Sequence, residues 1–270
     1  MSRRCPGVVN PDPPGLRVPS MSRRGFLETG IGALAACALP SCDSWPEEIE
    51  APDRLLTARP GDPTIAPTVG LSALNLGTTR DGVLYVPESY SADTAAPLFV
   101  ALHGAGGQGS DWASYYARAE SRGMIFLAPD SRGSTWDLIR GQVGPDVRFL
   151  NRALLHTFER CRIDPERIAL AGFSDGASYA LSLGASNGGL FGSLVAYSPG
   201  FLDLVPPLNG KPRLFVSHGN EDPVLSVRVT RDSIVPELRR LGYEVTYREF
   251  DGGHNVPAEI SEEALDWFLA

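Results

Sequence analysis

Cysteine is scarce in the body of the chain. Of Cys5, Cys37, Cys42 and Cys161, three lie in the first 42 residues, so a disulfide within the folded body is excluded. No CxxC pair is present, and His103, His156, His218 and His254 are too far apart for metal-ligand spacing, so no metal is expected. A Lys/Arg-rich block is also missing from the main body, and the net charge is -8. Phosphate binding rests on clustered basic residues, which excludes nucleic acid as a partner. No glycine-rich loop ends in the Gly-Lys-Ser/Thr of a phosphate cradle. What is present is ordinary globular material: 270 residues, 43% hydrophobic and 21% charged. That suffices for one sizeable α/β domain with a packed core and an additional segment.

The additional segment is N-terminal. Ser22-Arg23-Arg24-Gly25-Phe26-Leu27 opens a mostly apolar run to about Leu39. This basic-then-apolar layout resembles a twin-arginine translocation signal, which implies export to the periplasm or to a membrane-anchored position outside the cytoplasm. The apolar run falls short of the roughly 20 residues of a membrane span. Leu34-Ala35-Ala36-Cys37 and Leu39-Pro40-Ser41-Cys42 make Cys37 and Cys42 candidates for lipid attachment, with a non-lipid cut near Cys37 as the alternative. Met21 repeats the Met-Ser-Arg-Arg of residues 1–4 and sits where a signal should begin, so it is a candidate start. Residues 43–68 are acidic and then proline-rich, which reads as a tether. The expected division is a signal over 1–42, a tether over 43–68 and a catalytic domain over 69–270.

From about residue 69 short apolar runs alternate with amphipathic stretches. Strands are expected at 83–86, 98–102, 124–127, 168–172, 194–197, 214–217 and 245–250. Helices are expected near 111–122, 146–161, 175–186, 228–241 and 258–269. Continuously apolar strands joined through helices imply an α/β fold, with a mostly parallel sheet flanked by helices. In such open sheets the ligand lies at the carboxyl ends of the strands.

Those ends carry the chemistry. The strand at 168–172 runs into Gly172-Phe173-Ser174-Asp175-Gly176 and then a helix of small residues. Gly172 and Gly176 flank a turn too tight for a Cβ, leaving Ser174 at its tip beside a helix N-terminus. A serine nucleophile needs a base, and the base needs an orienter. His254 follows the last strand between Gly252-Gly253 and Pro257. Asp222 follows the strand at 214–217 and precedes Pro223, with Glu221 and Asp251 as alternatives for the carboxylate. After the strand at 98–102 comes His103-Gly104-Ala105-Gly106-Gly107; the backbone N–H groups of Ala105 and Asp175 are the candidate oxyanion donors. His103 is expected to fix its loop, and His156 and His218 to be structural. Trp112 and Trp136 are candidates to line the site, with packing as the alternative.

Leu102-His103-Gly104-Ala105-Gly106-Gly107, the serine pentapeptide, His218-Gly219-x-x-Asp222-Pro223-Val224 and Gly252-Gly253-His254 resemble the phospholipase/carboxylesterase branch of the α/β-hydrolases. They are also similar to esterases related to polyhydroxybutyrate depolymerases and feruloyl esterases. The resemblance covers roughly residues 80–270 and implies ester hydrolysis with no metal or organic cofactor. One departure is Asp175, where carboxylesterases often carry Gln. The short, proline-bearing stretch between Tyr197 and Leu214 leaves no room for a large cap domain. The expected activity is therefore a serine carboxylesterase. Its expected substrates are small-molecule esters of short to medium chain or the ester ends of polymers, cleaved through an acyl-enzyme on Ser174. A peptidase of the same fold and a non-catalytic exported binding module are the alternatives.

Overall fold

In the computed structural model, the described residues are 54–270, and within them Cys161 is a buried free thiol. The signal, the two candidate lipidation sites Cys37 and Cys42, and Met21 lie outside the described residues. Eight strands form one sheet: β1 Gly70–Ala73, β2 Gly82–Val86, β3 Ala96–Leu102, β4 Ile125–Pro129, β5 Ile163–Phe173, β6 Ser193–Tyr197, β7 Arg213–Gly219 and β8 Val245–Phe250. Their order is β1-β2-β4-β3-β5-β6-β7-β8. The β1–β2 and β2–β4 pairs are antiparallel and the other neighbours are parallel.

β3 and β4 are apolar along their whole length because both of their faces are covered, and β5 becomes so from Ile168. On β3, Leu98, Val100 and Leu102 point to one side, and Phe99 and Ala101 to the other; all five are fully buried. The first side is packed by α2 (Pro145–Phe158), α3 (Asp175–Ser186) and α5 (Val235–Arg240), through Leu150, Leu154, Leu181 and Leu238. The second is packed by α6 (Ala258–Leu269) and by a 3-10 turn, Gly109–Tyr115, that leads into α1 (Tyr116–Ser121). This is an α/β-hydrolase fold with no cap domain between β6 and β7.

Several elements differ from expectation. The helix expected over 111–122 is split between the 3-10 turn Gly109–Tyr115, with Trp112 off helical geometry, and α1. The helix expected to 161 ends at Phe158, and Cys161 follows it in a turn. The stretch expected as one helix over 228–241 runs as α4 (Val227–Val229), a π-helical turn (Thr230–Ile234) and α5. Pro236, at the start of α5, has no N–H to continue an α-helical ladder there.

A larger correction concerns the tether, expected through residue 68. From Arg54 the chain lies on the body, with Leu56 and Ala58 buried in the core. Two asparagines stitch it down. Asn187 accepts from the Leu56 N–H and donates to the Arg54 carbonyl, both at 2.8 Å. Asn151 accepts the N–H groups of Thr57 and Ala58, also at 2.8 Å. Further on, the Glu159 carbonyl takes the Thr64 and Ile65 N–H groups. Asn187→Ala leaves the Leu56 N–H and the Arg54 carbonyl without their side-chain partner, at a cost of about 2 kcal/mol. Thermal unfolding should show a drop of about 4–8 °C in Tm, with kcat unchanged.

Candidate active site

The sheet places its own crevice. From β3 the chain moves outward to β4, and from β5 it moves the opposite way to β6, β7 and β8, so the strand order reverses between β3 and β5. Ligands bind at that switch point in open α/β sheets. Leu102 pairs with Gly172 there, and the two strand ends release residues 103–107 and Ser174 side by side. A Cβ on Gly104 would stand 3.3 Å from the Cβ of Ser174.

Ser174 sits at φ 57°, ψ -118°, between the end of β5 and the start of α3. The glycines around it are sterically required: a Cβ on Gly172 would collide with the Gly176 backbone, and one on Gly176 with the Leu102 carbonyl. The Ser174 N–H is held by the Tyr197 carbonyl at 2.9 Å. A strained residue costs of order 1–3 kcal/mol and persists only where its surroundings over-determine it. Here three strands do so.

The loops after β7 and β8 meet over this serine. The Asn220 and Glu221 N–H groups donate to the Phe250 and Gly252 carbonyls, at 2.9 and 3.0 Å. A Cβ on Gly219 would collide with the backbone of Gly252 and Gly253. The docking brings His254 between two partners. Its Nε2 lies 2.9 Å from Ser174 Oγ, and its Nδ1 lies 2.6 Å from Asp222 Oδ2. Of the three carboxylates considered from the sequence, only Asp222 meets the imidazole. Asp251 instead accepts from Asn220 Nδ2 at 2.6 Å, and Glu221 is exposed.

Asp222 Oδ1 accepts the N–H groups of Val224 and Leu225, at 2.8 and 2.9 Å. Burial by itself would raise this carboxyl; the His254 hydrogen bond and the two backbone N–H bonds outweigh it and hold the group below its ordinary value. His218, expected to be structural, also lies against Asp222 Oδ2, at 3.1 Å.

The loop after β3 is fixed from below. His103 Nε2 accepts the Ser131 N–H at 3.0 Å, so its proton sits on Nδ1, which donates to the Gly104 carbonyl at 2.7 Å. Burial pushes this imidazole below its ordinary value, which keeps it neutral. Trp136 is buried rather than lining the site, and its Nε1 donates to the His103 carbonyl at 2.8 Å. Among the described residues, neither the Ala105 nor the Asp175 N–H is taken by another group. The Asp175 carboxylate turns aside to accept from Thr135 Oγ1 at 2.6 Å. Its contact replaces nothing in the triad.

Sequence reasoning missed Arg80, on the loop between β1 and β2. Its Nη2 donates to the Gly107 carbonyl at 2.6 Å and its Nε to the Ser131 carbonyl at 2.8 Å, clamping the loop after β3 to its neighbour. Nothing in the local sequence marks an arginine at such distance as a partner of residue 107. Arg80→Met should lower kcat about tenfold with KM unchanged, less than the 10²–10³ lost with an oxyanion donor itself. Steady-state kinetics on one ester checks it.

A cleft of about 590 Å³ opens beside the serine, lined by Ala105, Trp112, Tyr115, Phe173, His254 and Val256. Trp112 thus both lines the cleft and packs edge-on against Tyr115. Burial pushes the Tyr115 hydroxyl up to about 12, and it donates to the Tyr197 hydroxyl at 3.1 Å. Arg118, also on the cleft, already pairs with Glu262 at 2.6 Å. No helix among the described residues is long and apolar enough to cross a membrane, and they hold no cluster of three metal-ligating side chains.

Chemically, such an arrangement can pass a hydroxyl proton to an oriented imidazole while two backbone amides face an adjacent oxygen. Comparison with known proteins places the chain among hydrolases of ester bonds. The chain is 32% identical over 213 residues to the acyl-protein thioesterase 1 of Gibberella zeae, covering 64% of this chain and 88% of the relative. It belongs to the phospholipase/carboxylesterase branch of the α/β-hydrolases. The feruloyl esterase B of Piromyces equi is 28% identical over 171 residues, covering 58% of this hydrolase and 30% of that protein. Among solved structures, the phospholipase/carboxylesterase from Dyadobacter fermentans shares the fold, with a TM-score of 0.55 and 21% identity over 76% of this chain and 99% of that one. No family model matches the chain. This hydrolase is an enzyme of ester bonds, so the alternative of a non-catalytic binding module is set aside.

Proposed function

We propose that the enzyme is a serine carboxylesterase, with Ser174 as nucleophile, His254 as general base and acid, and Asp222 as the orienting carboxylate. The observation that carries this reading is the unbroken line from Ser174 Oγ through His254 to Asp222, at 2.9 and 2.6 Å. His254 takes the Ser174 proton as Oγ attacks the ester carbonyl. The Ala105 and Asp175 N–H groups receive the oxyanion, and His254 then protonates the departing alcohol. Water, deprotonated by the same imidazole, releases the acid from the acyl-enzyme. The uncapped cleft of about 590 Å³ suits short- to medium-chain acyl groups or exposed polymer ends.

A second reading is a thioesterase, favoured by the 32% identity to an acyl-protein thioesterase. The proposed oxyanion donors act on the acyl half of the substrate, so they serve a sulfur leaving group equally. A fluorophosphonate probe should label Ser174. A matched panel of p-nitrophenyl esters, acyl thioesters and aminoacyl amides then separates the readings. Turnover of the oxygen esters above the thioesters supports the carboxylesterase, and a preference for the amides the peptidase. Absence of labelling in folded protein removes the Ser174 assignment. We also propose export through the twin-arginine route with lipid on Cys37 or Cys42, supported by Ser22-Arg23-Arg24-x-Phe26-Leu27. Labelled palmitate should enter the parent and be lost from one of the two Cys→Ser variants.

A further inference from the structure

His218 is the penultimate residue of β7, four residues before Asp222, and its ring is fully buried. Two groups face its Nε2: the Asp222 Oδ2 at 3.1 Å and the Leu225 carbonyl at 2.9 Å. Both are acceptors only, so Nε2 must carry a proton; a bare Nε2 would set three lone-pair atoms against one another in a dry site. Nδ1 lies 2.7 Å from Thr230 Oγ1, which also reaches the Pro199 carbonyl at 3.0 Å. The ring is thereby fixed from the far side by the π-helical turn. Leu225 takes part twice: its carbonyl receives the His218 proton while its N–H holds Asp222 Oδ1.

We infer that His218 is a positioning residue for the triad carboxylate: its Nε2–H holds the Leu225 carbonyl, whose own N–H holds Asp222 Oδ1, and the same nitrogen lies 3.1 Å from the oxygen that His254 uses. The inference rests on the proposed roles of Ser174, His254 and Asp222. With the Val224 and Leu225 N–H groups on Oδ1 and His254 on Oδ2, the Asp222 carboxylate is held at both oxygens, and His218 fixes the Leu225 end of that set. Removing the His218 donor releases the Leu225 carbonyl and loosens the turn that holds Asp222 Oδ1. His254 is then held less firmly in the tautomer and direction that Ser174 requires. The effect belongs to the chemical step, since His218 does not line the cleft that would hold substrate.

Two isosteric variants separate donation from packing. In His218→Gln the side-chain amide nitrogen falls near the place of Nε2 and keeps the donor. In His218→Asn it falls near the place of Nδ1 and loses it. With p-nitrophenyl butyrate, His218→Asn should lower kcat about tenfold at unchanged KM, and His218→Gln should stay within about twofold of the parent. Equal kcat in parent and His218→Asn, or an equal fall in both folded variants, overturns the inference. A parent that neither hydrolyses the ester nor takes a fluorophosphonate at Ser174 is instead the failure of the triad reading. In that case, or if neither variant folds, the ¹H–¹⁵N spectrum of the parent's imidazoles decides. A proton on His218 Nε2 supports the donor, and an unprotonated Nε2 overturns it.

Discussion

Ser174→Ala is expected to lower kcat by about a millionfold, roughly 8 kcal/mol, while leaving the fold intact. The size follows from cooperation within the site. In the proposed mechanism Ser174 Oγ is a nucleophile only while His254 Nε2 can take its proton, and His254 is oriented by Asp222. Removing one member therefore silences the others, and Ser174→Ala combined with His254→Ala should lose no more than either alone. What remains, about 10³–10⁴ over the reaction in water, is the share of the two backbone amides and of binding. Stability separates the effects further. Alanine keeps the Cβ and with it the strained φ of 57°, so the Tm should hardly move. Ser174→Gly relieves the strain, at some cost in unfolded-chain entropy, and should raise the Tm by a few degrees for about 1 kcal/mol. A serine kept where glycine is more stable points to function at that position. Esterase kinetics and thermal unfolding of the two alanine variants, their combination and Ser174→Gly check both signs.

The triad was legible because each member occupies a fixed place after a strand. Ser174 follows β5, Asp222 follows β7 and His254 follows β8, and each strand has an apolar or β-branched stretch that sequence locates: Ile168–Gly172, Leu214–Val216 and Val245–Tyr247. Asp222 is favoured over Glu221 and Asp251 in the sequence by its place between a strand end and Pro223, and of the three it is the one that meets His254. Arg80 and His218 were illegible as partners. Each works through a contact set by tertiary packing, and a histidine at a strand end reads the same whether it touches Asp222 or nothing. The stretch 54–68 misled for compositional reasons. Its prolines and charges conceal two buried side chains, Leu56 and Ala58, and the asparagines that anchor it lie on α2 and at the end of α3. β1 went unseen because only alternate residues of its four-residue span are even partly buried, leaving no apolar run to find.

Asp222→Asn is expected to lower kcat by about 10⁴ with little change in KM. An amide has one acceptor and one donor where the carboxylate has two acceptors. Its oxygen should stay with the Val224 and Leu225 N–H groups, which donate at 2.8 and 2.9 Å. Its NH₂ then faces His254 Nδ1, which must give up its proton to accept. The proton moves to Nε2 and points at Ser174 Oγ, so the imidazole can no longer act as base. The change carries a pH signature in stability. The Asp222 carboxyl is held below its ordinary value in the fold, so its contribution is fully present above about pH 4, the unfolded value. It is lost as pH falls through the lower folded value. The amide has no such dependence. The Tm gap between parent and variant should therefore be constant near neutrality and narrow below about pH 4. A gap that widened in acid would mean that burial had won over the hydrogen bonds and that Asp222 is protonated in the native enzyme.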